Sequence, residues 1–432
     1  MTAVQGIEMQ PWYFGFLSRD HIASYLLKPG DWCVRNTGTN DEPILYVITK
    51  VDQKNLRELK LVQNKNHKGM NQACFTHSFY SVSGWTLIDK KNRTRRDDKM
   101  ATYDSITEML STESSLCHKV YFSNLDLEYN IDKMNLLHPI NRPDYLLNDE
   151  KVTITETKLG VGHYAEVLKG ILETDTVKRC LNTEEVSTSD KRSTKDIIQA
   201  KLAKSQMISE ARLLQDLIHE NIIKIYGIAC NFPPVKMVME FCPGGSLKTL
   251  LTEYKEKIKN EERNIFLLEA AKALRHLQIK GYVHRWDIAA RNCLITISGS
   301  LKLSDFGLSR RLRDLKKRSN NHEDIAWPIP WMAPETLSKK PKFSTKSDVY
   351  AFGVLIYEVY SCGGQPWPDI SVVEDIIPLV RKGKIMATPP LLREKSIEKL
   401  MHDCWKRRAS KRPDFIEIVR RFRAIMRLQQ VK

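Results

Sequence analysis

The stretch His284–Asn292, which reads HRWDIAARN, is the most informative part of the 432-residue sequence. It brings a carboxylic acid, a guanidinium and a carboxamide close together in the chain: Asp287, Arg291 and Asn292. Asp305-Phe306-Gly307 follows a strand-like segment at residues 301–303, and Ala333-Pro334-Glu335 comes later. A lone DFG tripeptide is common by chance and is typical of a surface turn. The order of several motifs along one chain is therefore the informative feature.

A glycine-rich stretch completes this order upstream. Leu159–Val167 reads LGVGHYAEV and lies between two strand-like segments. With this stretch, the motifs stand in protein-kinase order, and residues 151–428 resemble a protein kinase domain. The AAR before Asn292 and the Trp331-Met332 pair resemble tyrosine kinases, whereas serine/threonine kinases usually have a lysine two residues after the aspartate. The resemblance implies transfer of the γ-phosphoryl group of ATP to protein tyrosines, with ATP and Mg²⁺ as cofactors.

The resemblance also implies roles for individual residues. Asp287 would accept the proton of the substrate hydroxyl, beside Arg291 and Asn292 as further catalytic residues. Asn292 and Asp305 would hold the metal ions, since hard cations prefer oxygen ligands. Glu335 would form an ion pair with Arg412. The predicted ATP-binding residues come from the glycine-rich loop, a strand lysine, a helix glutamate and the hinge: Leu159, Gly160, Val161, Gly162, Val167, Lys178, Glu210, Met239, Glu240 and Cys242.

Two lysines compete for the role of the ATP-binding lysine. Lys178 follows the glycine-rich loop and has strand-like neighbours, whereas Lys191 lies nearer to Glu210 in the sequence but in a polar stretch with poor strand propensity. Strand propensity favours Lys178. Lys191 remains the alternative.

One residue breaks the kinase pattern. The family's catalytic loop begins His-Arg-Asp, whereas here Trp286 separates Arg285 from Asp287. We expect this extra residue to displace either His284 or Arg285, and a shift of ~1 Å near the reacting groups can cost about a hundredfold in rate. The insertion supports an alternative function, in which an impaired kinase fold serves as a phosphotyrosine-binding adaptor.

The activation segment, Leu308–Trp331, contains no tyrosine and is strongly basic between Arg310 and Arg318. In the family, a phosphotyrosine in this segment pairs with the arginine of the catalytic loop. We therefore expect a kinase that is not switched by phosphorylation of this segment. The basic residues also predict protein substrates with acidic residues flanking the tyrosine.

The first part of the chain resembles a different family. Trp12–Gly15 (WYFG), Leu17–Arg19 and Asp31–Arg35 (DWCVR) resemble the opening of a Src homology 2 (SH2) domain over about residues 10–125. The resemblance implies tyrosine-phosphorylated proteins as partners. Because the fork of an arginine can bind two phosphate oxygens, Arg35, with its apolar neighbours, is predicted to be a buried phosphotyrosine ligand. Arg19 is the predicted second ligand. The family's usual histidine is absent from Asn55–Asn64, which weakens any inference about peptide specificity.

These segments predict an α+β protein. An SH2 domain at residues 10–125, with a central antiparallel sheet flanked by two helices, is followed by a linker at 126–150 and a bilobal protein tyrosine kinase domain at 151–428. This organisation resembles the Fps/Fer class of non-receptor tyrosine kinases. Strands are predicted at residues 32–35, 44–51, 151–158 and 166–172, and helices at 20–27, 103–110, 198–217, 265–278, 346–360 and 397–405. The polar residues 182–195 predict a loop.

The net charge of +16 is unevenly distributed. Residues 1–150 contain 18 Lys and Arg against 19 Asp and Glu, a balance of −1, so the remaining 50 and 33 leave +17 in residues 151–432. No basic stretch is interleaved with stacking aromatic residues, so nucleic acid is not an expected partner. The charge fits an acidic or phosphorylated partner, although a solvated surface is the simpler interpretation. It also leaves open peripheral recruitment to an anionic membrane.

The cysteines and the apolar segments predict where in the cell the protein is located. Nine cysteines at irregular spacings, without a secretory signal, predict reduced thiols and a cytoplasmic protein. No apolar run reaches the ~20 residues of a transmembrane helix.

Overall fold

The structure is a computed structural model that describes residues 10–37, 45–50, 56–63, 81–82, 85–89, 138–161, 165–173, 179–183, 207–232, 234–285, 287–306, 309–311, 327–338 and 340–430. The chain forms two compact units, Met1–Ser205 with Tyr226–Val238, and Gln206–Ile225 with Met239–Lys432. Several sequence predictions lie outside the described residues: Gly162, Lys178, Lys191, Trp286, the helix at 103–110, most of the loop at 182–195 and residues 312–326 of the activation segment.

A strand of apolar residues forms the core of the first sheet in the first unit. Trp32, Cys33 and Val34 are buried, and the strand pairs with its neighbours on both sides. The strands are β1 (Asp31–Asn36), β2 (Leu45–Lys50), β3 (Leu56–Gln63), β4 (Ser81–Val82), β5 (Trp85–Asp89) and β6 (His138–Pro139). Among the described residues their order is β4-β5-β3-β2-β1-β6, antiparallel except for β6 beside β1. The predicted strands at 32–35 and 44–51 are confirmed as β1 and β2.

The helix predicted at residues 20–27 is shorter in the structure. Helix α1 spans Arg19–Ile22 and begins after Ser18, whose side chain accepts a hydrogen bond from the backbone N–H of His21. The backbone N–H groups of Leu27 and Lys28 donate to the carboxylate of Asp31, at 2.8 and 2.7 Å. Because this side chain satisfies both donors, the end of the predicted segment forms a turn instead of a helix.

The second sheet of the first unit is assembled from distant parts of the sequence. Its strands are β7 (Leu146–Leu147), β8 (Val152–Val161), β9 (Ala165–Leu172), β10 (Arg179–Thr183), β11 (Ile225–Ala229) and β12 (Lys236–Met239). In the described part of the chain they follow the order β7-β11-β12-β10-β9-β8. Val152, Leu172, Ala229 and Val238 form a buried apolar cluster on it. The strands predicted at 151–158 and 166–172 are confirmed as β8 and β9.

The second unit is mainly helical. Its longest helices carry the apolar segments of the sequence, and the helices predicted at 265–278, 346–360 and 397–405 are confirmed. The described helices are α2 (described at residues 207–216), α3 (Leu247–Tyr254), α4 (Asn260–Lys280), α5 (Thr345–Tyr360), α6 (Ile376–Lys382), α7 (Lys395–Cys404) and α8 (Phe415–Gln430). Helix α5 is buried from Ser347 to Tyr360. None of the helices in the described ranges combines the length and apolarity needed to cross a bilayer.

Two pairs of short strands hold the loop at residues 284–292. Strand β13 (Tyr282–Val283) precedes the loop directly, and β14 (Cys293–Ile295) follows it. The antiparallel partner of β14 is β15 (Leu301–Leu303), and that of β13 is β16 (Arg310–Arg311). The strands thereby bring the chain around Asp305 back to the end of the loop.

Candidate active site

The loop at residues 284–292 is anchored at its start by one buried carboxylate. Asp348, near the start of α5, is 2% exposed and accepts hydrogen bonds from the backbone N–H groups of His284 (2.8 Å) and Arg285 (3.1 Å). Complete burial lowers the pKa of His284 to about 4, so the imidazole is neutral. The guanidinium carbon of Arg285 lies 4.9 Å from the ring centroid of Phe343.

The other end of the loop holds Asp287 through two neighbours. Arg291 forms an ion pair with Oδ1 of Asp287. The Nδ2 of Asn292 donates to Oδ2 of Asp287 at 2.7 Å and to its backbone carbonyl at 3.0 Å. The Asp287 side chain is 13% exposed, so the structure brings together the three predicted catalytic residues. The position of the extra residue, Trp286, is thus flanked by two bonded ends of the loop.

A second carboxylate, which the sequence analysis did not select, supports this loop. Glu358 on α5 is 1% exposed and accepts hydrogen bonds from the backbone N–H of Ala290 and the indole Nε1 of Trp331, both at 3.0 Å. The guanidinium carbon of Arg291 lies 4.3 Å from the Trp331 ring centroid. The sequence does contain a signal, because Glu358 is the acidic residue in the apolar segment Val349–Tyr360, and a buried carboxylate requires hydrogen-bond partners.

The predicted metal ligands, Asn292 and Asp305, lie on segments that are joined by hydrogen bonds. The backbone N–H and the hydroxyl of Ser304 both donate to the carbonyl oxygen of Asn292 at 2.8 Å, which brings Asp305 next to the end of the loop. Asp305 is exposed and has a φ of 59°. A carboxylate and a carboxamide oxygen are donors that suit Mg²⁺, so these residues fit the ion that the family implies.

The predicted helix glutamate also lies close to this segment. Glu210, on α2, accepts a hydrogen bond from the backbone N–H of Phe306 at 2.8 Å. Phe306 is fully buried and packs edge-on against His284, with ring centroids 5.0 Å apart. This contact ties Glu210 to the residue that follows Asp305.

The predicted hinge residues begin at Met239, the last residue of β12, and continue with Glu240 and Cys242 after the strand. Met239 and Cys242 are buried, at 7% and 5% exposure. The Glu240 carboxylate is occupied within the second unit, since its Oε1 lies 2.9 Å from Nζ of Lys302 and accepts from the backbone N–H of Lys224 at 2.7 Å.

The described residues of the glycine-rich loop belong to the first unit. Gly160 lies opposite Val167 in the β8–β9 ladder, and Val161 opposite Glu166. The Leu159 side chain is exposed. The pairing makes the two strands of the predicted loop a β-hairpin.

The two predicted phosphate ligands are Arg19, the first residue of α1, and Arg35 on β1. Arg35 on β1 directs Nη1 towards the carbonyl oxygen of Leu17, at 3.4 Å, and its guanidinium carbon lies 5.9 Å from the ring centroid of Tyr46. Arg19 donates from Nη2 to the carbonyl oxygen of Leu56 at 2.6 Å. The prediction that Arg35 is buried is wrong, because the residue is partly exposed while Val34 beside it is fully buried. All the other residues of β1 are buried, so Arg35 is the exception in this strand.

The predicted ion pair between Glu335 and Arg412 is confirmed. The guanidinium binds both carboxylate oxygens, at 2.7 and 2.8 Å, and the Arg412 side chain is completely buried. It links the Ala333–Glu335 motif to the segment before α8.

The sequence is similar to known protein kinases. A family model described as protein tyrosine and serine/threonine kinase matches residues 153–422. The Tyrosine-protein kinase Fer of Homo sapiens is 34% identical over 419 residues, which cover 97% of this chain and 44% of the relative. The Spermatocyte protein spe-8 of Caenorhabditis briggsae is 32% identical over 361 residues, covering 84% of this chain and 60% of the relative. For Fer-related kinase 1 of Caenorhabditis elegans the values are 32% over 285 residues, 66% and 68%. The chain thus spans about half the length of the first two relatives.

Proposed function

Because the chain belongs to the protein tyrosine and serine/threonine kinase family, we propose that it transfers the γ-phosphoryl group of Mg·ATP to tyrosine side chains of proteins. The observation that carries this proposal is the arrangement around Asp287. Arg291 and Asn292 hold both oxygens of its carboxylate, and Arg291 stacks on Trp331. A fixed carboxylate beside an aromatic ring suits a phenolic substrate.

Asp287 acts on the substrate hydroxyl in this mechanism. Its carboxylate orients the hydroxyl and accepts its proton as the oxygen attacks the γ-phosphorus in line with the leaving ADP oxygen. Asn292 and Asp305 would hold Mg²⁺, which offsets the negative charge that develops on the phosphates. Arg291 keeps the carboxylate of Asp287 in one orientation, so that less reorganisation is needed during the reaction.

The preference for tyrosine is supported by the residues next to Asp287. The position two residues after the aspartate is Ala289, where serine/threonine kinases usually have a lysine. Arg291 binds the carboxylate instead and stacks on the partly exposed Trp331. A flat aromatic wall is suited to a phenol ring.

Recruitment by phosphotyrosine is the second part of the proposal. Residues 10–125 would act as an SH2 domain in which Arg35 binds the phosphate and Arg19 assists. Nη1 of Arg35 lies 3.4 Å from the carbonyl oxygen of Leu17, and Nη2 of Arg19 donates to that of Leu56 at 2.6 Å. Hydrogen bonds from a guanidinium to a phosphate dianion are charge-assisted on both sides and are therefore stronger than these bonds to neutral carbonyl groups.

A radiolabelled ATP assay on the purified full chain tests the catalytic part. With a poly-Glu/Tyr substrate, we expect incorporation of label that Asp287→Asn abolishes. The matched control is Asp375→Asn, which removes an exposed carboxylate directly before α6, outside the proposed machinery. Transfer to serine peptides but not to tyrosine peptides would contradict the tyrosine preference.

The binding of tyrosine-phosphorylated peptides tests recruitment. We expect Arg35→Ala to remove most of the binding measured by calorimetry and Arg19→Ala to reduce it less, because Arg35 supplies the main fork. The control is the same peptide without its phosphate group, which should not bind. Unchanged affinity in Arg35→Ala would contradict the assignment.

The adaptor function is the second candidate, and the extra Trp286 favours it. In that case the protein would bind phosphotyrosine through residues 10–125 while the kinase fold served as a scaffold. Deletion of Trp286 separates the two proposals. If the wild-type protein is inactive and the deletion variant transfers label, the insertion is the cause of the impairment.

A further inference from the structure

We infer that Glu358 is a positioning residue for the proposed reaction: its buried carboxylate joins Trp331 to the catalytic loop and so shapes the surface that receives the substrate tyrosine. The inference rests on the proposed function and adds a residue that lies 67 positions beyond Arg291 in the sequence. Every contact involved lies within the second unit.

One carboxylate oxygen makes both contacts. Oε2 of Glu358 accepts from the backbone N–H of Ala290 and from Nε1 of Trp331, each at 3.0 Å. Glu358 is 1% exposed and Ala290 is fully buried, so water does not replace a lost partner without opening the core. Because Ala290 lies between Asp287 and Arg291, the first hydrogen bond fixes the middle of the loop.

The second hydrogen bond fixes the orientation of the indole ring. Arg291 stacks on this ring with its guanidinium carbon 4.3 Å from the centroid, and the same guanidinium binds Asp287. A rotated Trp331 would no longer support Arg291. Glu358 therefore acts on Asp287 through two side chains, without contacting a reacting atom itself.

The charge of Glu358 supplies an independent readout. Burial raises its pKa to about 7, although the hydrogen bonds from Trp331 and Ala290 and the nearby cations Arg291 and Lys248 lower it. The thiol of Cys293 also faces the carboxylate, and burial together with Glu358 raises the pKa of that thiol. The acceptor of the Trp331 indole thus gains a negative charge as the pH rises through neutrality.

The first experiment follows the Trp331 indole N–H by NMR in the full chain labelled with ¹⁵N-tryptophan, with Trp331→Phe to assign the signal. From about pH 5.5 to about pH 8.5 we expect this signal to titrate with a midpoint near 7. Glu358→Gln should abolish the titration but keep a hydrogen-bonded signal, because the amide oxygen still accepts. A Trp331 signal that is unaffected by Glu358→Gln would overturn the inference, whether or not the protein is an active kinase.

The second experiment measures the KM for the peptide and the KM for ATP in the wild-type protein, Glu358→Gln and Glu358→Leu. We expect Glu358→Leu to raise the peptide KM about tenfold with less than about a twofold change in the ATP KM, and Glu358→Gln to stay within about twofold of wild type in both. The control is Tyr360→Phe on the same helix as Glu358, which removes a buried hydrogen bond of 2.7 Å to Asn264 on α4. An equal rise in both constants, or a Gln variant as impaired as the Leu variant, would overturn the inference. An inactive wild-type protein would contradict the proposed function alone, since the NMR result still decides the role of Glu358.

Discussion

At the scale of single residues, the buried ion pair of Glu335 and Arg412 shows how much one side chain can contribute to the fold. Arg412 is completely buried and also donates to the carbonyl oxygen of Lys346 at 2.8 Å. We expect Glu335→Gln to lower the free energy of unfolding by about 3 kcal/mol, because it leaves a buried charge without its counterion. Urea unfolding of the purified variants measures this loss.

Two further variants test the cause. Glu335→Leu combined with Arg412→Met removes both charges and should be less destabilising than Glu335→Gln alone. Arg420→Ala removes an arginine whose side chain is 75% exposed and pairs with Glu417, so its loss should leave the free energy of unfolding nearly unchanged. Equal losses in all three proteins would contradict the assignment.

Glu358 gives a second prediction at this scale, on the dependence of stability on pH. Its pKa is about 7 in the folded protein against an ordinary value of 4.5, so the folded state binds more protons between these values. The free energy of unfolding therefore falls as the pH rises through this window. We expect Glu358→Gln to gain about 3 kcal/mol relative to wild type between pH 4.5 and pH 8. The same stability difference between Glu358→Gln and wild type at both pH values would contradict this.

The residues of the candidate site differ in how far the sequence could predict them. Asp287, Arg291 and Asn292 are neighbours in the chain, so one motif identified them, and the structure brings them together. Glu358 meets Ala290 from a helix far along the chain, and no local pattern contains that contact. Arg35 is partly exposed although all other residues of β1 are buried, and the apolar sequence around it does not mark this exception.

At the scale of elements, the activation segment begins with a short paired strand and is rich in Lys and Arg. Strand β16 pairs with β13, directly before the catalytic loop, and the cations continue from Arg310 to Arg318. We expect peptides with Glu or Asp around the tyrosine to be phosphorylated about tenfold faster than neutral ones at low salt, with a smaller advantage at physiological ionic strength. A peptide array at two salt concentrations measures this.

The control for this prediction changes only the charge of the segment. Replacing Lys316, Lys317 and Arg318 together by Gln should reduce the preference and its salt dependence. If acidic and neutral peptides react equally fast at low salt, the basic residues are only a solvated surface.

Helices and strands could be predicted where their apolar periodicity extended over many residues. Helices α4, α5 and α7 and strands β8 and β9 carry patterns that extend over most of their length. Helix α1 was predicted too long because the carboxylate of Asp31 competes for two backbone donors. Such a side-chain contact decides the end of a helix without changing its apolar pattern.

At the scale of the whole molecule, residues 138–150 are integrated into the first unit. Leu146 and Leu147 pair in parallel with Ile228 and Ala229, and the carboxylate of Asp149 binds Nζ of Lys236 at 2.5 Å. We expect a fragment of residues 151–432 to melt at least about 5 °C below a fragment of residues 138–432, because the shorter one loses this strand and leaves Lys236 without its counterion. Differential scanning calorimetry measures the difference.

The control is Asp149→Asn in the longer fragment, which removes the ion pair but keeps the strand. It should account for part of the difference. Identical melting temperatures of the two fragments would mean that residues 138–150 add nothing to the stability of the kinase fold.

The interleaving of the two units also bears on the order in which a newly synthesised chain can fold. The second sheet of the first unit places β11 and β12 between β7 and β10, yet residues 226–238 follow a segment that belongs to the second unit. While the ribosome is still translating residues 206–225, the sheet lacks its central strands and β10 has an unpaired edge. A nascent chain of this length therefore exposes a strand edge that invites pairing with other chains, and it is the stage at which a chaperone would be needed most.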